Sequence, residues 1–137
     1  MIENATKPAA DLNLCDKTKC LFVSGSWEAL AASTAHTFDV VLMSETLYNT
    51  SYYPSLVSLL DKVTGADSLI IIGTKTFYYG LGGGFFQFQL HLKGSPFVLE
   101  THAKFNDMKS IERMILLMKR GQSETSMQEE PEFQLTF

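Results

Sequence analysis

Ser44, Glu45, Thr46, Tyr48 and Asn49 stand together in the segment FDVVLMSETLYN, immediately after the apolar run Phe38 to Met43. A carboxylate where a buried strand runs out can accept hydrogen bonds from a ligand amine, orient a substrate nitrogen or bind a metal. Capping of the next helix, or a surface ion pair, accounts for Glu45 without any of that chemistry. Thr46 and Tyr48 can surround a polar substrate, Tyr48 with both a flat packing surface and a hydroxyl. Asn49 and Thr50 either join them or start the following helix. Asn49, Thr50 and Ser51 also satisfy the bare glycosylation rule, which carries no functional weight here. Ser44 lacks a nucleophile-elbow sequence and no histidine has a predicted path to it, so a hydrolase triad is unsupported.

Two further groups qualify. Trp27 follows Ser24, Gly25 and Ser26 at another expected strand end, where an indole either stacks on an adenine or simply packs. Gly80, Gly82, Gly83 and Gly84 form a permissive tract behind Tyr78 and Tyr79; it suits close approach to a ligand, a lid hinge or plain packing. It is not a phosphate loop, because GxxxxGK[ST] is absent and no GxGxxG follows the first strand.

The elements that must position these residues are legible in the apolar pattern. Cys20–Val23, Phe38–Met43 and Ser68–Ile72 read as strands, and the last, with three consecutive isoleucines, suits a strand covered on both faces. Between the second and third, Tyr53, Leu56, Val57, Leu60 and Val63 recur at helical spacing within Tyr52–Val63, and Gly65 supplies a stop. This is a βαβ crossover, expected to be right-handed with its strands parallel. Trp27, Leu30 and Ala31 fit a turn or short helix. Ile2–Leu14 reads as helix leading into a loop, with Pro8 expected to break regular structure. FFQFQLHLKG suits a short helix or an outer strand. Phe97–Phe105 and Glu112–Met118 suit an antiparallel pair, although Arg113–Arg120 is also compatible with a helix. The expected domain is 1–120, with a polar, flexible tail over 121–137.

A chain of 137 residues, 45% hydrophobic, can bury one core. Its formal charge of -4 gives no reason to expect nucleic acid or an anionic membrane as partner. No apolar run reaches the ~18–20 residues of a membrane span, and the start lacks a signal-peptide pattern, so an intracellular, soluble protein is expected. Cys15 and Cys20 have no second pair to complete a zinc or redox motif, and His36, His91 and His102 do not converge in sequence, so no metal site is expected.

Taken together, Ala5–Ala9 with Asn13 and Leu14, CLFVSGSW at Cys20–Trp27, FDVVLMSETLYN at Phe38–Asn49 and YYGLGGG at Tyr78–Gly84 resemble the C-terminal half of a class I S-adenosylmethionine-dependent methyltransferase, specifically the eukaryotic protein-histidine N-methyltransferases. The resemblance runs from about Ile2 to Arg120. It implies an α/β, partial Rossmann-like fold that lacks the first two strands of the family sheet, with Cys20–Val23 as the third strand and a C-terminal antiparallel strand pair. It implies S-adenosylmethionine as cofactor, Glu45, Thr46 and Tyr48 as catalytic residues around the acceptor, and Trp27 and Ser44 at the cofactor. Ser26 departs from the acidic residue often found there. The implied substrate is a ribosomal protein, and the implied compartments are nucleus and cytoplasm. The glycine-rich half that ordinarily cradles the cofactor is absent from this sequence, which leaves activity of the chain itself open. Without those strands, the Phe38–Met43 strand is expected to have an unpaired edge and Cys20–Val23 to be detached. Alternatives are a noncatalytic fragment that binds a partner, such as a complementary methyltransferase segment, through that edge; an isoform too unstable to act; and a related protein-lysine methyltransferase.

Overall fold

A computed structural model describes residues 2–13 and 16–121. The expected tail therefore lies outside the described residues from 122 onward, as does Cys15. A four-stranded mixed sheet runs in the order β1-β2-β4-β3, with β1 at Val40–Ser44, β2 at Leu69–Lys75, β3 at Phe97–Phe105 and β4 at Arg113–Arg120. β1 pairs parallel with β2, Val40 opposite Leu69 and Ser44 opposite Gly73. β4 is antiparallel to both β2 and β3, and an irregularity between Thr101 and Ala103 shifts the β3 register. The sheet and helices are those of an α/β fold, consistent with a partial Rossmann-like methyltransferase.

The crossover between β1 and β2 is the helix α3, Tyr53–Val63, as its periodicity predicts. Tyr53, Leu56, Leu59, Leu60 and Val63 are buried, and Pro54 sits in the first turn, where a missing N–H costs nothing. Its last turn is tied down by Arg120 of β4, whose guanidinium donates to the Thr64 carbonyl (3.1 Å) and pairs with Asp61 (2.8 Å). A cation at unsatisfied helix-end carbonyls suits both their hydrogen-bonding need and the dipole.

FFQFQLHLKG forms α4, Phe85–His91, which places fully buried Phe88 against Tyr53 with ring centroids 5.1 Å apart. The core joins these two residues to Met43, Ile70, Ile72, Leu116 and Met118. Residues alternate faces along a strand, so this core occupies one side of the sheet only.

Three expectations fail. Cys20–Val23 is not a strand; it is irregular, Leu21 is 87% exposed, and no ladder partner reaches it among the described residues. An apolar run becomes a strand only when a neighbour satisfies its backbone, and local pattern cannot supply the neighbour. Pro8 does not break regular structure: it lies in the first turn of α1, Lys7–Leu12, which continues a π-helical turn at Ile2–Thr6. The helical option for Arg113–Arg120 loses to a strand, because alternate Met114, Leu116 and Met118 enter the core while Ile115 and Leu117 do not.

Candidate functional site

The loop after β1 carries the site. Glu45 adopts φ 53° and donates its N–H to the Gly73 carbonyl at 3.1 Å. Positive φ is uncommon for a residue with a Cβ and marks a constrained position. It turns the chain out of the sheet with the half-exposed Glu45 carboxylate 3.3 Å from Nζ of Lys75, the last residue of β2. The Lys75 ammonium also stands 5.1 Å from the centre of the Tyr78 ring, a cation–π distance.

The Tyr78 hydroxyl accepts from the Lys75 backbone N–H (3.3 Å) and shares a hydrogen bond with Thr74 Oγ1 (3.3 Å). Burial pushes this phenol above its ordinary range; the Thr74 and Lys75 bonds oppose the shift, and the nearby Glu45 charge adds to it. Tyr78 is therefore a neutral hydroxyl at physiological pH. Tyr48 completes the aromatic wall, edge-on to Tyr78 (6.5 Å) and to Tyr52 (6.0 Å).

Glycine builds the other wall. The N–H of Gly83 bonds to the Tyr48 carbonyl (3.2 Å), and Gly82 bridges Asn49. A Cβ on Gly83 would lie 2.2 Å from the Leu47 carbonyl oxygen, and one on Gly84, at φ 131°, 2.5 Å from that of Thr76. Gly83 and Gly84 are thus pressed against the chain's own backbone, whereas Gly80 and Gly82 sit in open space at positive φ. Tyr53 pins both sides: its buried hydroxyl donates to the Leu47 carbonyl (2.9 Å) and accepts from the Gly84 N–H (3.0 Å).

Thr46 and Trp27 belong to a different part of the strand end. Both line an apolar cavity of about 610 Å³ between β1, α3 and the helix α2, Trp27–Ser33. The Thr46 hydroxyl is buried there without a hydrogen-bond partner, an arrangement that ordinarily costs about 1–3 kcal/mol. Ser26 caps α2 by accepting the Ala29 N–H at 3.2 Å, which gives this residue a structural role next to Trp27. The start of α2 lies beside Tyr52 and Ser55 of the following helical segment, so Trp27 stands at the same end of the sheet as Thr46. Trp27 also packs against the core.

Of the residues singled out in the sequence, Glu45 and Tyr48 meet around Tyr78, Thr46 and Trp27 share the cavity, and Ser44 is exposed opposite Gly73, outside both groups. Asn49 caps the 3₁₀ turn Thr50–Tyr52 by accepting from Ser51, so helix initiation is the role it performs. Lys75 was not a sequence candidate. Its signal was available: in a parallel pair the chain leaving β1 at Glu45 emerges beside the end of β2.

Fold and site together describe an open α/β protein with a carboxylate, a lysine and three tyrosines gathered at its strand ends. The chain belongs to the lysine methyltransferase family, whose model matches residues 8–80. It is similar to the histidine protein methyltransferase 1 homolog of Dictyostelium discoideum, 31% identical over 94 residues, which are 68% of this chain and 30% of that protein. It is also similar to the homologs of the same name from Rattus norvegicus (33% over 76 residues) and Bos taurus (35% over 77 residues), each match covering 52% of this chain and 21% of the relative. The chain thus matches less than a third of the length of these curated relatives.

Proposed function

We propose that the chain carries the acceptor side of an S-adenosylmethionine-dependent protein methyltransferase whose acceptor is a histidine of a ribosomal protein. The observation that carries this reading is Glu45, held at positive φ at the end of a parallel strand and faced by Lys75, Tyr78 and Tyr48. Family membership and the relatives' names supply the chemistry.

In that reaction the methyl acceptor would be a neutral imidazole nitrogen, and the proton shed by the methylated ring would pass to solvent. The cofactor supplies the activated methyl group, so the protein's share is alignment and choice of tautomer. Glu45 suits the second task, since a carboxylate that accepts one ring N–H leaves the opposite nitrogen with its lone pair. Tyr48 bounds the acceptor, and Tyr78, neutral and tethered by Lys75, offers a hydroxyl beside the carboxylate. For the cofactor, Trp27 and Thr46 would hold the adenine-bearing end, since both line one apolar cavity at this end of the sheet, while Ser44 lies outside it.

Calorimetric titration of the purified, folded chain with S-adenosylhomocysteine tests the reading. Saturable binding supports it and justifies acceptor assays; a folded, monodisperse chain that takes none contradicts a self-sufficient enzyme. The second reading, a lysine acceptor, is favoured by the family description. Matched histidine and lysine peptides separate the two, with methylation of only the lysine peptide overturning the histidine assignment.

A further inference from the structure

Lys75 ends β2 directly opposite Arg113 of β4, so two positive side chains stand on the same face of adjacent strands. Like charges opposite one another in a ladder destabilise a sheet. The two side chains part: Arg113 reaches the Ser110 hydroxyl of the β3–β4 loop at 3.5 Å, and Lys75 reaches toward β1, to the Glu45 carboxylate at 3.3 Å and over the Tyr78 ring. Both partners of the Lys75–Glu45 pair keep contact with water, at 30% and 52% side-chain exposure, so the pair adds little to stability. Folding alone therefore does not account for a lysine at this position.

Its effect on an incoming acceptor follows from charge. Lys75 already supplies the counter-ion of Glu45, yet a carboxylate accepts more hydrogen bonds than one ammonium donates to it. The pair thus presents a hydrogen-bond acceptor of small net charge. A neutral imidazole donates its ring N–H there with no cation to displace. A lysine side chain, protonated up to a pKa of about 10.4, brings a second ammonium to the same carboxylate. Moving Lys75 aside to make room drives it back toward Arg113. Tyr78, the other group against the pair, is a neutral hydroxyl and does not offset the repulsion. The same repulsion favours the uncharged form of a lysine that does enter, but near neutral pH only about one free lysine in a thousand is uncharged, so exclusion comes first.

We propose that Lys75, backed by Arg113, sets acceptor specificity at Glu45, admitting a neutral imidazole and turning away a protonated lysine. The proposal rests on the reading of Glu45 as the acceptor-binding carboxylate and adds to it the residue that chooses between the two acceptor classes. Lys75 acts through Glu45 and is a positioning residue. Discrimination of this kind comes from the repulsive element as much as from the attractive one.

The test is binding alone and needs neither cofactor nor turnover. Acetylated glycine pentapeptides with a central histidine or a central lysine are titrated at pH 8 into the ¹⁵N-labelled 137-residue chain, and the amide shifts of Glu45 and Lys75 are followed. The expected preference is at least ~10-fold for the histidine peptide, lost in Lys75→Met and kept in Lys75→Arg. Lys119→Met, at an exposed position toward the other end of β4, leaves it unchanged. A pH series supplies a readout that a merely structural lysine does not move. Free imidazole gains its proton near pH ~6.5, so the unaltered chain releases the histidine peptide as pH falls through that value, whereas Lys75→Met retains it. Circular dichroism confirms that each variant folds. A preference unmoved in Lys75→Met, or lost equally in Lys75→Arg, overturns the proposal and leaves the acceptor site standing. Undiminished histidine-peptide binding in Glu45→Gln, or no shift at Glu45 with either peptide, overturns the acceptor reading itself and this proposal with it.

Discussion

On the α3 side of the sheet, Ile70, Ile72, Leu116 and Met118 have at most 1% of their surface exposed, whereas on the other side Leu42 is 76% exposed. The middles of both faces carry isoleucine and leucine, although the open face also bears Lys75, Glu100, Arg113 and Lys119. What separates them is the chain that covers them: α3 and α4 supply a lid for one face, and no fully buried strand residue lies on the other. Hydrophobic side chains therefore record where burial is intended, and the crossover helices decide where it happens.

Truncation should expose the difference most strongly. Ile72→Ala removes atoms from a filled core and is expected to cost about 2–5 kcal/mol in denaturant unfolding, whereas Leu42→Ala should stay within about 0.5 kcal/mol. Comparable losses at both positions would mean that the second face is buried after all. Gly83→Ala should come next, near the upper end of the roughly 1–3 kcal/mol typical of overpacking, because its Cβ meets backbone that cannot rotate away. Full stability in that variant would show that the glycine tract does not rest on Leu47 and Tyr48.

Tyr53→Phe isolates the polar link between the finished core and the site loop. It leaves the Leu47 carbonyl and the Gly84 N–H short of a partner and is expected to cost about 1–3 kcal/mol, with the larger loss of protection in the 78–84 loop. The smallest effect is a titration. Burial raises the Tyr53 and Tyr78 phenols above 10.0, so the folded state holds protons that the unfolded chain has released. Their contribution is fully present below pH 10 and falls as pH rises through the folded values. Tyr78→Phe should flatten part of that alkaline slope in urea midpoints measured across it; an unchanged slope would refute the assignment.

Much of this arrangement was legible in advance. The βαβ unit followed from two apolar runs and the helical period between them, and it placed Glu45 and Tyr48 at a strand end. Lys75 escaped notice although the parallel pairing was expected, because the expected strand Ser68–Ile72 stops three residues short of the end of β2 at Lys75. Cys20–Val23 misled because its apolar pattern fits a strand, while no strand among the described residues pairs with it. The isoleucine run of β2 suggested a strand covered on both faces, and the structure corrects this: Ile70 and Ile72 are buried while Leu69 and Ile71 on the other face are only partly covered.

Amide hydrogen exchange on the chain alone measures this asymmetry most directly. The ladder amides of β2 and β4 should exchange only through global unfolding, while the outward amides of β1 and those of Cys20–Val23 exchange orders of magnitude faster. Uniform protection across β1, β2 and Cys20–Val23 would contradict the account of one finished and one unfinished side.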